Sequence, residues 1–98
     1  MVNFDFIRFG RDLGTRQLGA KAREALLPLL RTEDKVVLDF TGVNVVSNSF
    51  ADECIAKILL DMPLDQFRSH STFAGLNPVA RESVLTALQR RYMVMQQA

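Results

Sequence analysis

Ser47, Asn48 and Ser49 stand between two strongly apolar segments, and Phe50, Asp52 and Glu53 follow them. Two hydroxyls and an amide in that place can cap a helix, hydrogen-bond a partner, or accept a phosphoryl group on a serine. One cap residue suffices to start a helix, so three polar side chains exceed the local need. Ser49 with Asp52 matches the S-x-x-D form of a capping box. Asp52 and Glu53 suit a first helical turn, where the helix dipole favours acids. Phe50 is either a semi-exposed anchor for a partner or a core ring packed under the first turn.

Other residues could do chemistry, and each has a plainer reading. Asp39, Asp52 and Glu53 are acids that could converge, but a metal site needs more hard ligands than they guarantee, so no metal is expected. Ser49, His70 and Asp39 can be assembled on paper into a nucleophile, base and orienting acid. Nothing supplies an oxyanion hole or orienting neighbours, and no catalytic residue is assigned. Cys54 falls on an apolar stripe and reads as inert core. One cysteine and one histidine cannot build a Cys/His zinc site. No Gly-rich phosphate loop of either common form occurs, and no cofactor is expected. Arg90, Arg91 and Tyr92 form a short basic-aromatic patch, read as a solvated helix end rather than a nucleic-acid surface.

The chain that must position these residues has 98 residues, 48% of them hydrophobic, which fits one domain spanning 1–98 with a real core. A formal net charge of +1 gives no broad electrostatic footprint for nucleic acid or an acidic membrane. No apolar run approaches the roughly 20 residues that span a bilayer. The opening "MVNFDFIRFGRD" alternates and carries acids, unlike a signal peptide. A reducing cytoplasm is the expected setting.

Hydrophobic periodicity gives the elements. "VNFDFIRFG" predicts a strand near 2–9 ending at Gly10, followed by a turn in which Gly14 takes a positive φ. Thr15 can cap a helix whose stripe is Leu18, Ala22, Ala25, Leu26, Leu29 and Leu30. Pro28 predicts a kink or an early stop. Gly19 implies close packing against a neighbour, or a helix that starts later. "VVLDF", 36–40, reads as a central strand covered on both faces, with Asp39 as its exception. "TGVNVV" allows a bulge or a second short extension. Ala51, Cys54, Ile55, Ile58, Leu59 and Met62 then predict a helix over 50–62, stopped by Pro63. "LDQFRSH" reads as irregular or a single turn, and 71–76 as a third strand. Asn77-Pro78 is a cap and first helical residue for a helix from 78 to about 93, with a fraying end.

Alternating strands and helices imply a small α/β fold, a largely parallel or mixed sheet of three to four strands packed with about three helices. In such sheets, ligands and partners meet the carboxyl ends of the strands. The 47–50 turn follows the most buried-looking strand and so falls there.

"KVVLDFTGVNVVSNSFADECIAKIL" resembles the central segment of the STAS domain, named for sulphate transporters and anti-sigma factor antagonists. There a strand of the form hhLDLSGV precedes an hDSSG turn and a helix. It is more similar still to a bacterial STAS-like family of unknown function, in which a G-x-x-x-R segment with PLL precedes the strand and the turn reads S-S-F-x-x-E. This chain has Gly19 and Arg23 in "GAKAREALLPLL", then Ser49, Phe50 and Glu53 in "NSFADE". The resemblance marks Gly19, Arg23, Asp39 and Glu53 as family-pattern residues with structural roles, and Arg23 with Glu53 as an ion pair between the first two helices. It implies a non-catalytic regulatory module that binds a protein partner through Ser47, Asn48, Ser49 and Phe50. The implied partner is an ATPase of the histidine-kinase type or an anti-sigma-like factor in a partner-switching system. A small-ligand or nucleotide sensor using the same turn is the alternative. Antagonists carry Asp, Ser, Ser, Gly in the turn and are phosphorylated on the first Ser. Here Ser47, Asn48, Ser49 and Phe50 take those places, and an amide accepts no phosphoryl group. Ser47 and Ser49 remain as candidate phosphosites, with Ser47 favoured because Ser49 is expected to be held as the cap.

Overall fold

A computed structural model describes residues 1–96; Gln97 and Ala98, part of the end expected to fray, lie outside the described residues. Strands β1 (Val2–Asp5), β3 (Val36–Asp39) and β5 (Ser71–Ala74) form a parallel sheet in the order β1-β3-β5. A second parallel pair joins β2 (Asp12–Leu13) to β4 (Val45–Val46). Four helices are described: α1 (Arg16–Thr32), α2 (Asn48–Cys54), α3 (Leu64–His70) and α4 (Pro78–Gln96). The fold is α/β with parallel sheets, as the alternating pattern requires.

β3 is central, but it is not covered on both faces. Val36 and Leu38 are buried, while Val37 and Asp39, which point the other way, are half-buried. On that second face Asn3, Asp5 and Thr72 are exposed. The period-two alternation therefore separates a core face from an open one.

The first strand is shorter than expected. Beyond Asp5 the chain tightens into a 3-10 turn over Phe6–Phe9. Residues three apart eclipse in such a turn. Phe6 and Phe9 thereby both reach the core, which a continuing strand would forbid, and Ile7 and Arg8 face out. The left-handed conformation falls at Gly10 (φ 121°), not at Gly14. Asp12 and Leu13, expected as turn, form β2 instead.

α1 begins as predicted, with Thr15 Oγ1 accepting the Leu18 amide at 3.1 Å. Its buried stripe is Gly19, Ala22, Leu26 and Leu30; Ala25, counted on the stripe from periodicity, is exposed. Pro28 does not stop the helix, which runs on to Thr32. Pro28 and Glu24 are both exposed, so the carbonyl that loses its amide partner lies on the wet side.

Past β3, Thr41 and Gly42 turn the chain, with Gly42 at φ 86° and the Val43 amide bonded to the Phe40 carbonyl at 2.9 Å. Gly75 (φ 72°) packs on this corner: a Cβ there would fall 2.5 Å from the Thr41 nitrogen. α2 ends at Cys54, and the expected continuation to Met62 becomes a 3-10 segment, Ala56–Leu60. Its period of three stacks Ala56 on Leu59, and both are buried, as is Met62 just beyond it, so the apolar positions keep their burial in a tighter coil. Residues 64–70, read as irregular or a single turn, are helix α3. The third strand, expected over 71–76, is β5 and ends at Ala74; the Asn77 cap is as predicted, and α4 continues three residues beyond the expected end.

Candidate functional site

The 47–53 segment begins where β4 ends. This corrects its placement: the turn does not leave the central strand but follows the short β4, after the Thr41–Gly42 corner. β4 lies beside β2, and the Ser47 amide donates to the Leu13 carbonyl at 2.9 Å. Strand β2, which periodicity did not reveal, thus fixes the approach to the turn.

The cap is Ser47, not Ser49. Ser47 Oγ accepts the Phe50 amide at 3.0 Å and donates to the Gly14 carbonyl at 3.1 Å. With Asn48 as the first helical residue, Asp52 and Glu53 lie beyond the first turn and make no capping box. The cap moves two residues upstream because Ser47 is the last extended residue, with φ −72° and ψ 161°. The reason for favouring Ser47 as a phosphosite, that Ser49 is held as the cap, does not hold. Ser47 is held by two hydrogen bonds, while Ser49 is half-buried and borders a cavity.

Phe50 is core. It is 0% exposed and meets Phe6 edge-on, with ring centroids 6.3 Å apart. Phe6 in turn stacks on Phe40 at 4.0 Å. The ring is therefore not a surface anchor, and the outward elements of the turn are Asn48, exposed, and Ser49.

Gly19 and Arg23 lie one turn apart on α1 and both meet α2. A Cβ on Gly19 would fall 3.0 Å from Glu53 Cβ and 3.2 Å from the Phe50 carbonyl oxygen, so only glycine lets the helices close to this distance. Arg23 Nη1 lies 2.9 Å from Glu53 Oε2, the predicted bridge between the first two helices, and also donates to the Glu53 carbonyl. Glu53 is only 8% exposed. Lys57 Nζ lies 2.9 Å from its Oε1, and Arg16 Nη1 reaches the same oxygen at 3.3 Å. The Lys57 hydrogen bond, opposed by burial and joined by Arg23 and Arg16, holds the Glu53 carboxyl at about 2.

Asp52 completes the cluster. Arg16 Nη1 donates to it at 2.9 Å from α1, and Arg91 Nη2 donates to both its oxygens at 2.9 and 3.0 Å from α4. Burial would raise the Asp52 carboxyl, but the bonds from Arg16 and Arg91 outweigh it and keep it below its ordinary value. Arg91, read as part of a solvated helix end, is half-buried and ties α4 to α2. Arg16 and Arg91 were not visible as site residues, because nothing local connects them to Asp52. Lys57 carries one sequence signal, its place four residues after Glu53.

The remaining candidates lie apart from this cluster. Asp39 accepts from Asn3 at 3.1 Å and from the Thr41 amide at 2.9 Å; bonds from Thr41, then Asn3, lower its carboxyl. His70 Nδ1 is 3.1 Å from the Glu33 carbonyl. Burial pushes the Cys54 thiol up to about 12, which suits an unreactive core residue. Among the described residues no group of three or more His, Cys, Asp or Glu side chains could hold a metal ion, and no helix is long and apolar enough to cross a membrane.

The span from Gly19 to Ala80, in the first turn of α4, matches a known family. A family model described as a STAS-like domain of unknown function covers residues 19–80. The chain belongs to this family. No curated protein and no solved structure gives a significant match. Within this STAS-like domain the family-pattern residues Gly19, Arg23 and Glu53 meet at one helix–helix contact. They build the seam against which the turn is set.

Proposed function

We propose that this STAS-like domain is a non-catalytic regulatory module. It docks a protein partner through the outer side of the 47–53 turn and acts by partner switching, in the manner of anti-sigma factor antagonists. The observation that carries this reading is the division of labour in the turn. Ser47 and Phe50 are consumed by capping and core packing, while Asn48 and Ser49 are left at the surface over a braced helix. A rigid, polar, outward-facing turn suits recognition, because little ordering entropy is lost on docking. The partner class in view is a histidine-kinase-type ATPase or an anti-sigma-like factor. The switch does not need a phosphate at Asn48.

The test uses a partner captured from the native cell and measured with purified components. Asn48→Asp and Ser49→Ala leave the core untouched and are expected to weaken binding at least several-fold with an unchanged melting temperature. Parental affinity in both folded variants would reduce the turn to a helix start. A rise in melting temperature with nucleotides alone would instead favour a ligand sensor.

A further inference from the structure

Beside Ser49 lies a cavity of about 130 Å³, lined by Arg16, Asn48, Ser49, Asp52, Thr86 and Arg90 together with Ala87. Its walls come from the N-terminal turn of α1, the start of α2 and the middle of α4. Two features set its chemistry. The first is charge. Asp52 and Glu53 are the carboxylates of this cluster, and Arg16, Arg23, Lys57 and Arg91 are bonded to them. Arg90 adds a further cation at the cavity, with no carboxylate within 4.0 Å among the described residues. The second feature is donor supply. Arg16 uses only Nη1 for its ion pairs, and a guanidinium carries five N–H donors. Asn48, Ser49 and Thr86 add an amide and two hydroxyls. Asp52, the one acidic wall, already receives bonds from Arg16 and Arg91.

We infer that this cavity is an oxyanion site, taking a single carboxylate or phosphoryl group between Arg16 and Arg90 and over Asn48, Ser49 and Thr86. Size limits the ligand. A cavity of about 130 Å³ has room for one oxyanion. The site deepens the docking reading, and rests on it only for the carrier: a partner docked on the turn presents an acidic side chain here.

Inorganic phosphate titrated into the full chain at constant ionic strength, followed by amide NMR shifts, tests the site without any partner. Saturable shifts are expected at Asn48, Ser49 and Thr86. Arg90→Gln is expected to weaken the apparent affinity about tenfold, as loss of one charge-assisted contact does. Arg68→Gln, an exposed arginine on α3, serves as the control and leaves it unchanged. Shifts that do not saturate, or that are equal in the Arg90→Gln and parental proteins, overturn the site. Failure here leaves partner docking, tested by the Asn48 and Ser49 variants, standing on its own. Phosphate binding without any effect of those variants removes the docking reading and keeps the oxyanion site.

Discussion

Helices α2 and α4 start in the same way. Ser47 Oγ takes the Phe50 amide at 3.0 Å, and Asn77 Oδ1 takes the Ala80 amide at 2.8 Å. Both starts border one open depression, lined by Asn48, Pro78, Val79, Glu82, Ser83 and Thr86. They diverge at the fifth helical residue. In α2 this is Asp52, bonded to Arg16 and Arg91, and buried Glu53 follows it. In α4 it is Glu82, exposed, with no cation within 4.0 Å among the described residues. Capping answers a requirement of chain geometry, the unpaired amides of a helix's first turn. A cluster of four cations around two acids does not, so the charged seam, rather than the cap, distinguishes the α2 start.

The largest expected effect tests that distinction directly. Glu53→Ala leaves Arg23 and Lys57, both partly buried, without their carboxylate and is expected to cost roughly 3–5 kcal/mol. Glu82→Ala is expected to stay within about 0.5 kcal/mol. Urea denaturation midpoints measure both, and equal losses would erase the contrast.

Acid titration sharpens it next. Glu53 is held at about 2 against an ordinary 4.5. A carboxyl depressed in the folded state stabilises the fold above its ordinary pKa, and that stability drains as pH falls toward the folded value. Between those two pH values the unfolding free energy is expected to drop by roughly 3 kcal/mol from this group. Glu53→Gln should flatten that slope and Glu82→Gln should leave it intact, as followed by chemical denaturation at stepped pH.

A smaller effect concerns the helix contact. Gly19→Ala would raise helix propensity by about 1 kcal/mol, yet its methyl meets Glu53 Cβ and a backbone carbonyl. The net expectation is a loss of about 1–3 kcal/mol, as for overpacking. A gain in thermal stability would mean that α1 and α2 can separate freely.

The smallest pair is the two caps. Ser47→Ala and Asn77→Ala are each expected to cost about 1 kcal/mol. A much larger loss at Ser47 would make its second bond, to the Gly14 carbonyl, part of the site's support.

The buried side of 50–62 was legible because burial repeats along it: Ala51, Cys54, Ile55, Ile58, Leu59 and Met62 are all buried although α2 gives way to a 3-10 segment after Cys54. Thr15 and Asn77 were legible as caps, since the amides they satisfy lie three residues away. Strand β2 was not, because two residues carry no periodicity and its pairing partner is β4. Phe50 stood open between anchor and core, because one aromatic ring at a helix start fits either.

By itself the sequence determined the α/β alternation, the apolar stripes and the central place of β3, and it left Gly19 between a close approach and a later helix start. These follow from backbone sterics and from side-chain periods acting over a few residues. The family pattern added the Arg23–Glu53 bridge. Only the tertiary structure decided that Ser47 is the cap, that Phe50 is buried under Phe6, and that Arg16 and Arg91 converge on Asp52 from 36 and 39 residues away. The reason is physical: with 12 basic and 11 acidic residues, charge alone permits many pairings. Coulomb attraction carries no address along the chain, so packing selects among them.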